Sequence, residues 1–354
     1  MKRFVLCLFA AVLLSALLVP MVALTEQPSL SARHAVIYEP LTGTFLYDRN
    51  GDKEAPMAST TKIMTALVAL KKGNLDTSVT IPKEACGIEG SSIYLVEGEV
   101  LTLEQLLYAL LLQSANDAAT AIAIAVGGTQ EDFVSMMNQE AEALGLAHTH
   151  FTNPHGLDNQ EHYTTARDLA VITAAAMEIP LFCEMVSTVK YSIPHSTPGG
   201  SRLLVNHNKL LRMYEGATGV KTGFTKHSGR CLVGAAIRDG ITLITVTLDA
   251  PNDWQDHIRM FEHGFSRMEN RLIYDIGQYT CEIPLWGEEG TVLCSNSEPL
   301  YAILPKGATA PDISLDLPHY LVPPVKNGQA IGTITLVHQG KEVGGGILTV
   351  TLAR

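Results

Sequence analysis

Charge and aromatic side chains are both scarce in this sequence: 17% of its 354 residues are Asp, Glu, Lys or Arg, and 6% are Phe, Trp or Tyr. Apolar residues make up 46%, which excludes a long disordered chain and is enough for a substantial core in two domains. Basic runs are missing and the formal charge is −11, so the electrostatic stripe of a nucleic-acid-binding protein is excluded. The 29 glycines and 17 prolines follow no short period, and no longer repeat is visible, which removes collagen-like, low-complexity and solenoid readings. Cys-x-x-Cys is absent, and zinc ribbons and dithiol redox motifs go with it. Beyond Cys7, the cysteines are Cys86, Cys183, Cys231, Cys281 and Cys294. Cys281 and Cys294 are close enough to bridge a hairpin, and buried free thiols are the alternative.

What is present begins with a leader. Lys2 and Arg3 precede an apolar stretch, Phe4 to Val19, then Pro20, the layout of a secretory signal over residues 1–24. Ala23 suits a cleavage site, although Met21 is larger than the small residue expected there. Uncleaved, Phe4–Leu24 is just long enough to span a bilayer and would be the membrane contact. Either way the chain is expected to be exported and to work outside the cytoplasm.

Downstream, His34–Tyr38 and Thr44–Tyr47 read as a hairpin around Leu41-Thr42-Gly43. Ile63, Met64, Leu67, Val68 and Leu70 recur at helical spacing, so a helix starts near Thr60. Thr102 and Gln105 form a capping box that opens a leucine-rich helix, and an alanine-rich helix follows from Asp117 to Val126. Thr165 and Asp168 cap a helix that runs to Met177. Gly229–Ile237 and Ile241–Leu248 are strands joined by Asp239-Gly240, a strong hairpin signal, with Val220–Thr222 as an edge strand before them. A helix over His257–Phe265 closes the first domain, taken as residues 25–268. Residues 269–354 hold short alternating runs (Tyr279–Ile283, Thr291–Cys294, Leu300–Leu304, Ile331–Val337, Ile347–Leu352) and read as a small all-β domain.

Three motifs bear on chemistry. Ser59-Thr60-Thr61-Lys62 puts a hydroxyl and an amine on one helical face. Serine is a weak nucleophile that needs a base, and lysine is a base only when burial or a nearby cation lowers its pKa. The plain alternative is a capping serine with a solvated lysine. Ser114-Ala115-Asn116 lies between two helices, where serine can pass a proton and asparagine can hold a substrate amide; a polar turn capped by Asn116 is the alternative. In Lys221-Thr222-Gly223, on the edge strand, lysine can be the second cation that keeps Lys62 neutral, threonine can bind a carboxylate, and glycine lets backbone approach closely. An ordinary edge with a solubilising lysine is the rival there.

These motifs, in this order and setting, resemble the serine-type D-alanyl-D-alanine carboxypeptidases, the low-molecular-mass penicillin-binding proteins. Gly90-Ser91-Ser92-Ile93, Gln113 to Ala118, Asn153 to Asp158 and Gly219 to Thr225 add to the likeness, which covers about Ser31 to Phe265. The resemblance implies an α/β (α+β) penicillin-binding or β-lactamase-like transpeptidase core, with an antiparallel sheet and a helical subdomain, followed by the β domain. It implies a cell-wall role in peptidoglycan synthesis and cell shape, stem peptides as substrate, β-lactams as inhibitors and no cofactor. Ser59, Lys62 and Ser114 would be catalytic. Asn116, Lys221, Thr222, Gly223, Phe224 and Thr225 would bind substrate, the Ser59 and Phe224 N–H groups holding the oxyanion and Thr222 and Thr225 the carboxylate.

Two departures stand out. The family often has a carboxylate-binding arginine after the Lys-Thr-Gly strand, where this chain has Pro251-Asn252-Asp253-Trp254 and, further on, Arg259. Many members end in an amphipathic helix, whereas Leu348 to Leu352 is strand-like, so any anchor is expected at the N-terminal segment. His148, His150, His155 and His162 suggest zinc only weakly, and no metal is expected. The rivals are a β-lactamase, which lacks a matching glutamate motif here, and a catalytically silent wall-binding protein.

Overall fold

The computed structural model describes residues 27–352 apart from residue 198, so the expected leader, its cleavage site and Cys7 lie outside the described residues. In chain order the first part runs β1 (His34–Glu39), β2 (Thr44–Arg49), α1 (Lys62–Lys72), β3 (Ser78–Thr80), β4 (Val100–Thr102), α2 (Leu103–Leu112), α3 (Asn116–Gly127) and α4 (Gln130–Ala143). Then come α5 (Ala166–Met177), α6 (Pro180–Ser187), β5 (Lys190–Pro194), β6 (Ser201–Val205), α7 (Leu210–Met213), β7 (Ala217–Thr225), β8 (Gly229–Arg238), β9 (Ile241–Leu248) and α8 (Asp253–Phe265).

Antiparallel pairing builds one sheet in the order β2-β1-β9-β8-β7. Its central strands are apolar on both faces because both are covered. Val36, Val233, Ile244 and Val246 face the helical core with Leu169 and Leu107, while Ala35, Ile37, Leu232 and Leu243 face Met260, Phe261 and Phe265 of α8. The β8–β9 turn bears out its Asp-Gly signal: Asp239 and Gly240 sit at φ 52° and 77°, as a type I′ turn requires. Both halves of the Thr102–Gln105 capping box form, and Thr165 accepts from the Asp168 N–H.

Helices α4 and α6 and the β5–β6 hairpin lie outside the sequence expectations. Helix α4 is mostly polar and buries only the stripe Phe133, Met137 and Ala141. Helix α8 begins at Asp253 instead of His257. The beginning of the described chain is clamped to it: the buried Asp256 carboxylate accepts from Ser31 N and Oγ and Ala32 N at 2.7–3.0 Å.

Seven strands follow: β10 (Met268–Tyr274), β11 (Thr280–Pro284), β12 (Thr291–Asn296), β13 (Leu300–Pro305), β14 (Asp312–Asp316), β15 (Ala330–His338) and β16 (Lys341–Val350). They form a β10–β13 pair and a sheet in the order β11-β12-β16-β15-β14, around a separate core of Leu300, Leu304, Leu336 and Leu348. Cys281 and Cys294 are cross-strand partners in β11 and β12, and all five described cysteines are free thiols. This module touches the first at Lys341 Nζ, which donates to Gly43 O (3.3 Å) and Thr44 Oγ1 (3.2 Å), and at Asn270 Nδ2, which donates to Asp239 O (3.0 Å).

Phe261 is fully buried between Tyr214 and Phe265. Phe261→Ala should cost roughly 3–5 kcal/mol, read as a lower urea midpoint, with activity retained without denaturant.

Candidate active site

Ser59 lies in a 3-10 turn, Ala58–Thr61, that runs directly into α1, so its side chain sits one turn above Lys62. The two meet: Lys62 Nζ is 3.0 Å from Ser59 Oγ. Lys62 is fully buried, and its Nζ also donates to Asn116 Oδ1 and to the His155 carbonyl, each at 2.6 Å. Burial, and then the Lys221 charge, hold this amine well below its ordinary 10.5, with Asp117 opposing in part. A neutral amine has two N–H groups, and the two carbonyl-type acceptors take both. Its lone pair is left facing the serine hydroxyl.

Asn116 opens α3 with both ends of its amide committed, Oδ1 to Lys62 and Nδ2 to Glu89 O at 2.6 Å. It clamps the lysine to the 89–95 loop, and the second N–H of its Nδ2 remains for the substrate amide that the sequence suggested. Next to it, Asp117 gathers Ser92 Oγ, Ile93 N and Leu95 N. Ser114, at φ 59°, is 3.0 Å from Lys221 Nζ, which also donates to Thr222 O at 2.8 Å. Burial pushes Lys221 down to about 7.

The backbone around Ser59 is braced from two sides. Asn153 Oδ1 accepts from Gly156 N (2.7 Å) and turns the loop that presents the His155 carbonyl. A side chain at Gly156 (φ 88°) would lie 2.0 Å from Ala58 O, so only glycine fits. On β7, a Cβ at Gly223 would be 3.0 Å from Ser59 N, which is how the Lys-Thr-Gly strand comes to lie against the serine turn. His162 Nδ1 accepts from Thr152 N, leaving Nε2–H to donate to Thr61 Oγ1 at 2.8 Å; Thr61 then donates to Ala58 O. Burial drives His155 to about 3 and His162 to about 4, so both are neutral. His148 and His150 turn to Glu54 and Glu161 O, and the four histidines do not converge.

A cleft of about 370 Å³ opens over the serine, lined by Ser59, Ser91, Ser114, Thr222, Gly223 and Phe224 on the predicted side. Thr225 stands outside its wall, bonded to Asp158 Oδ1 (2.8 Å) and Ser228 Oγ (3.0 Å). Arg259 is remote, on Ser29 O and near Asp256. The arginine in the cleft is Arg230, cross-strand partner of Phe224, held by Asp253 (2.9 Å) and lying over Trp254 (5.8 Å). Nothing local marked Arg230; the Asp-Trp pair at the start of α8 was the available signal.

A family model described as D-alanyl-D-alanine carboxypeptidase matches residues 21–252. The D-alanyl-D-alanine carboxypeptidase DacF of Bacillus subtilis is 31% identical, over 93% of this chain and 91% of that protein. Among solved structures, an alanine mutant of the Streptomyces K15 DD-transpeptidase is 36% identical, with TM-score 0.65, over 68% of this chain and all of that one. Penicillin-binding protein 5 from Haemophilus influenzae is 27% identical, with TM-score 0.68, over 92% of this chain and 98% of that one.

Between pH about 7 and its ordinary 10.5, the Lys221 amine binds more proton in the unfolded chain than in the folded one. Its penalty on stability is therefore full below about 7 and fades as pH rises. Lys221→Met should melt higher than wild type at low pH, and calorimetry should show that advantage shrinking towards pH ~10.

Proposed function

Because the chain belongs to the D-alanyl-D-alanine carboxypeptidase family, we propose that it removes the terminal D-Ala from peptidoglycan stem peptides through an acyl-enzyme on Ser59. The observation that carries this reading is the buried amine of Lys62, its N–H groups taken by Asn116 and His155 and its lone pair left for Ser59.

In this mechanism Lys62 takes the hydroxyl proton as Ser59 Oγ attacks the penultimate carbonyl. The developing oxyanion lies between the backbone N–H groups of Ser59 and Phe224, which the close approach at Gly223 brings together. Ser114, bonded to Lys221, passes a proton to the leaving D-Ala nitrogen. Water then releases the shortened peptide. Thr222 and Arg230 hold the terminal carboxylate, Arg230 as a guanidinium already aligned by Asp253 and Trp254. Penicillins acylate the same serine. Asn116 holds the lysine through Oδ1 and offers its second Nδ2–H to the substrate amide, and Thr225 shapes the end of the β7 strand.

The same reading places the enzyme outside the cytoplasm, exported by its leader or anchored through it, in peptidoglycan synthesis and the upkeep of cell shape. Residues 25–268 form the catalytic unit and 269–354 a β module that sets its height above the membrane. The separate cores of the two parts support that division.

Ser59→Ala should abolish D-Ala release from a diacetyl-Lys-D-Ala-D-Ala peptide and labelling by fluorescent penicillin, with circular dichroism unchanged. Release by the variant at the wild-type rate would sink the reading. Arg230→Gln should lower kcat/KM on that peptide by about 10–100-fold, the worth of one charge-assisted contact. Deleting Leu272–Arg354 should spare turnover of the soluble peptide.

A further inference from the structure

Tyr94 is the most exposed of the large apolar side chains among the described residues, at 84%, although Ile93 and Leu95 on either side are buried. Its backbone is left-handed, at φ 58°, a region that disfavours any residue with a Cβ. Such conformations persist when the surroundings enforce them, and here they do. Tyr94 N donates to Ser92 Oγ (2.9 Å), which itself donates to Asp117 (2.6 Å). From the other side Arg202, paired with the buried Glu99, reaches Tyr94 O. Two hydrogen-bonded supports thus hold a strained turn whose result is an aromatic ring in solvent. Among the described residues no side-chain hydrogen bond or ring contact restrains that ring.

Its position matters. Ser91 lines the catalytic cleft, and its carbonyl accepts from Asn116 N at 2.7 Å. Tyr94 follows three residues later and so lies within about 11 Å of that wall. A pentapeptide cut before its last residue keeps four residues on the far side of the scissile bond, about 14 Å when extended, enough to reach past that wall. Beyond those residues a wall peptide is joined to a sugar. Pyranose rings present an apolar C–H face that suits a flat aromatic surface, while their hydroxyls and the tyrosine O–H remain in water. Val96 and Leu203, also exposed, are uncharged.

We propose that Tyr94 is a stacking platform at the rim of the cleft for the sugar ring that carries the stem peptide. This rests on the reading of the cleft as a stem-peptide site, and it makes the enzyme prefer glycan-linked peptide over the free peptide. Remote binding of this kind is realised as rate or affinity at the reacting end. Because the ring and the sugar are neutral, the preference is insensitive to salt, unlike a contact through Arg230.

The test compares kcat/KM for a pentapeptide and for the same pentapeptide bearing N-acetylmuramic acid. Wild type should favour the second by about tenfold at low and at high salt, the size of a modest aromatic contact. Tyr94→Asn, which tolerates the left-handed backbone, should erase that preference and leave the bare peptide and penicillin labelling unchanged. Tyr94→Phe should keep it. Equal rates on both substrates in wild type, or an equal loss on both in Tyr94→Asn, would overturn the proposal. Calorimetric binding of the two peptides to the Ser59→Ala protein gives the same ratio without turnover. A wild type that releases no D-Ala yet binds the muramyl peptide through Tyr94 would defeat the catalytic reading and leave the platform standing.

Discussion

One buried nitrogen governs the arrangement of this protein. An ammonium group enclosed in low dielectric without a counter-charge is costly, and the cost falls when the group gives up its proton. Lys62 Nζ is enclosed by parts far apart in sequence: the turn before α1, the first residue of α3, and the loop around His155. Asn116 and His155 supply its acceptors, the serine turn faces its lone pair, and the second lysine on β7 adds a like charge that outweighs Asp117. The lowered pKa, and with it basicity toward the serine, is thus a product of the tertiary fold.

The rest of the site follows from keeping that nitrogen and the serine in register. Ala58, at φ 47°, is itself left-handed, and the chain His162–Thr61–Ala58 together with Gly156 fixes its carbonyl. Gly223 allows the edge strand to close on the same turn. The strain is local, and the braces come from neutral groups, since burial keeps both histidines uncharged.

Much of this could be read in the sequence. The i, i+3 spacing of Ser59 and Lys62 predicts their meeting, and the burial of Lys62 decides against the solvated-lysine alternative. The strands β1, β2, β8 and β9 announce themselves through β-rich runs and the Asp239-Gly240 turn. What stayed hidden depends on partners distant in sequence. Arg230 looks like any arginine at a strand start until α8 brings Asp253 and Trp254 beside it. Asn116 reads as a ligand for substrate, and its further hold on Lys62 and Glu89 shows only in the fold. Helix α4 buries too narrow a stripe to stand out from its polar residues, and β14 alternates polar and apolar residues over only five positions, too short a run to stand out.

The points of contact between the two modules have a mechanical consequence. Lys341 reaches the β1–β2 hairpin and Asn270 reaches the β8–β9 turn. The hairpin includes β2, the margin of the sheet opposite β7, and the turn is at the end of β8 away from Gly229 and Cys231. Load passed through these two contacts enters the sheet along its far corner, while the link from α8 into β10 and the Lys306 N–Arg267 O bond (2.8 Å) carry the remainder into α8. The corner holding the two lysines lies away from both of those side-chain contacts, and α8 is the element that joins the β module to the Asp253–Arg230 side of the cleft.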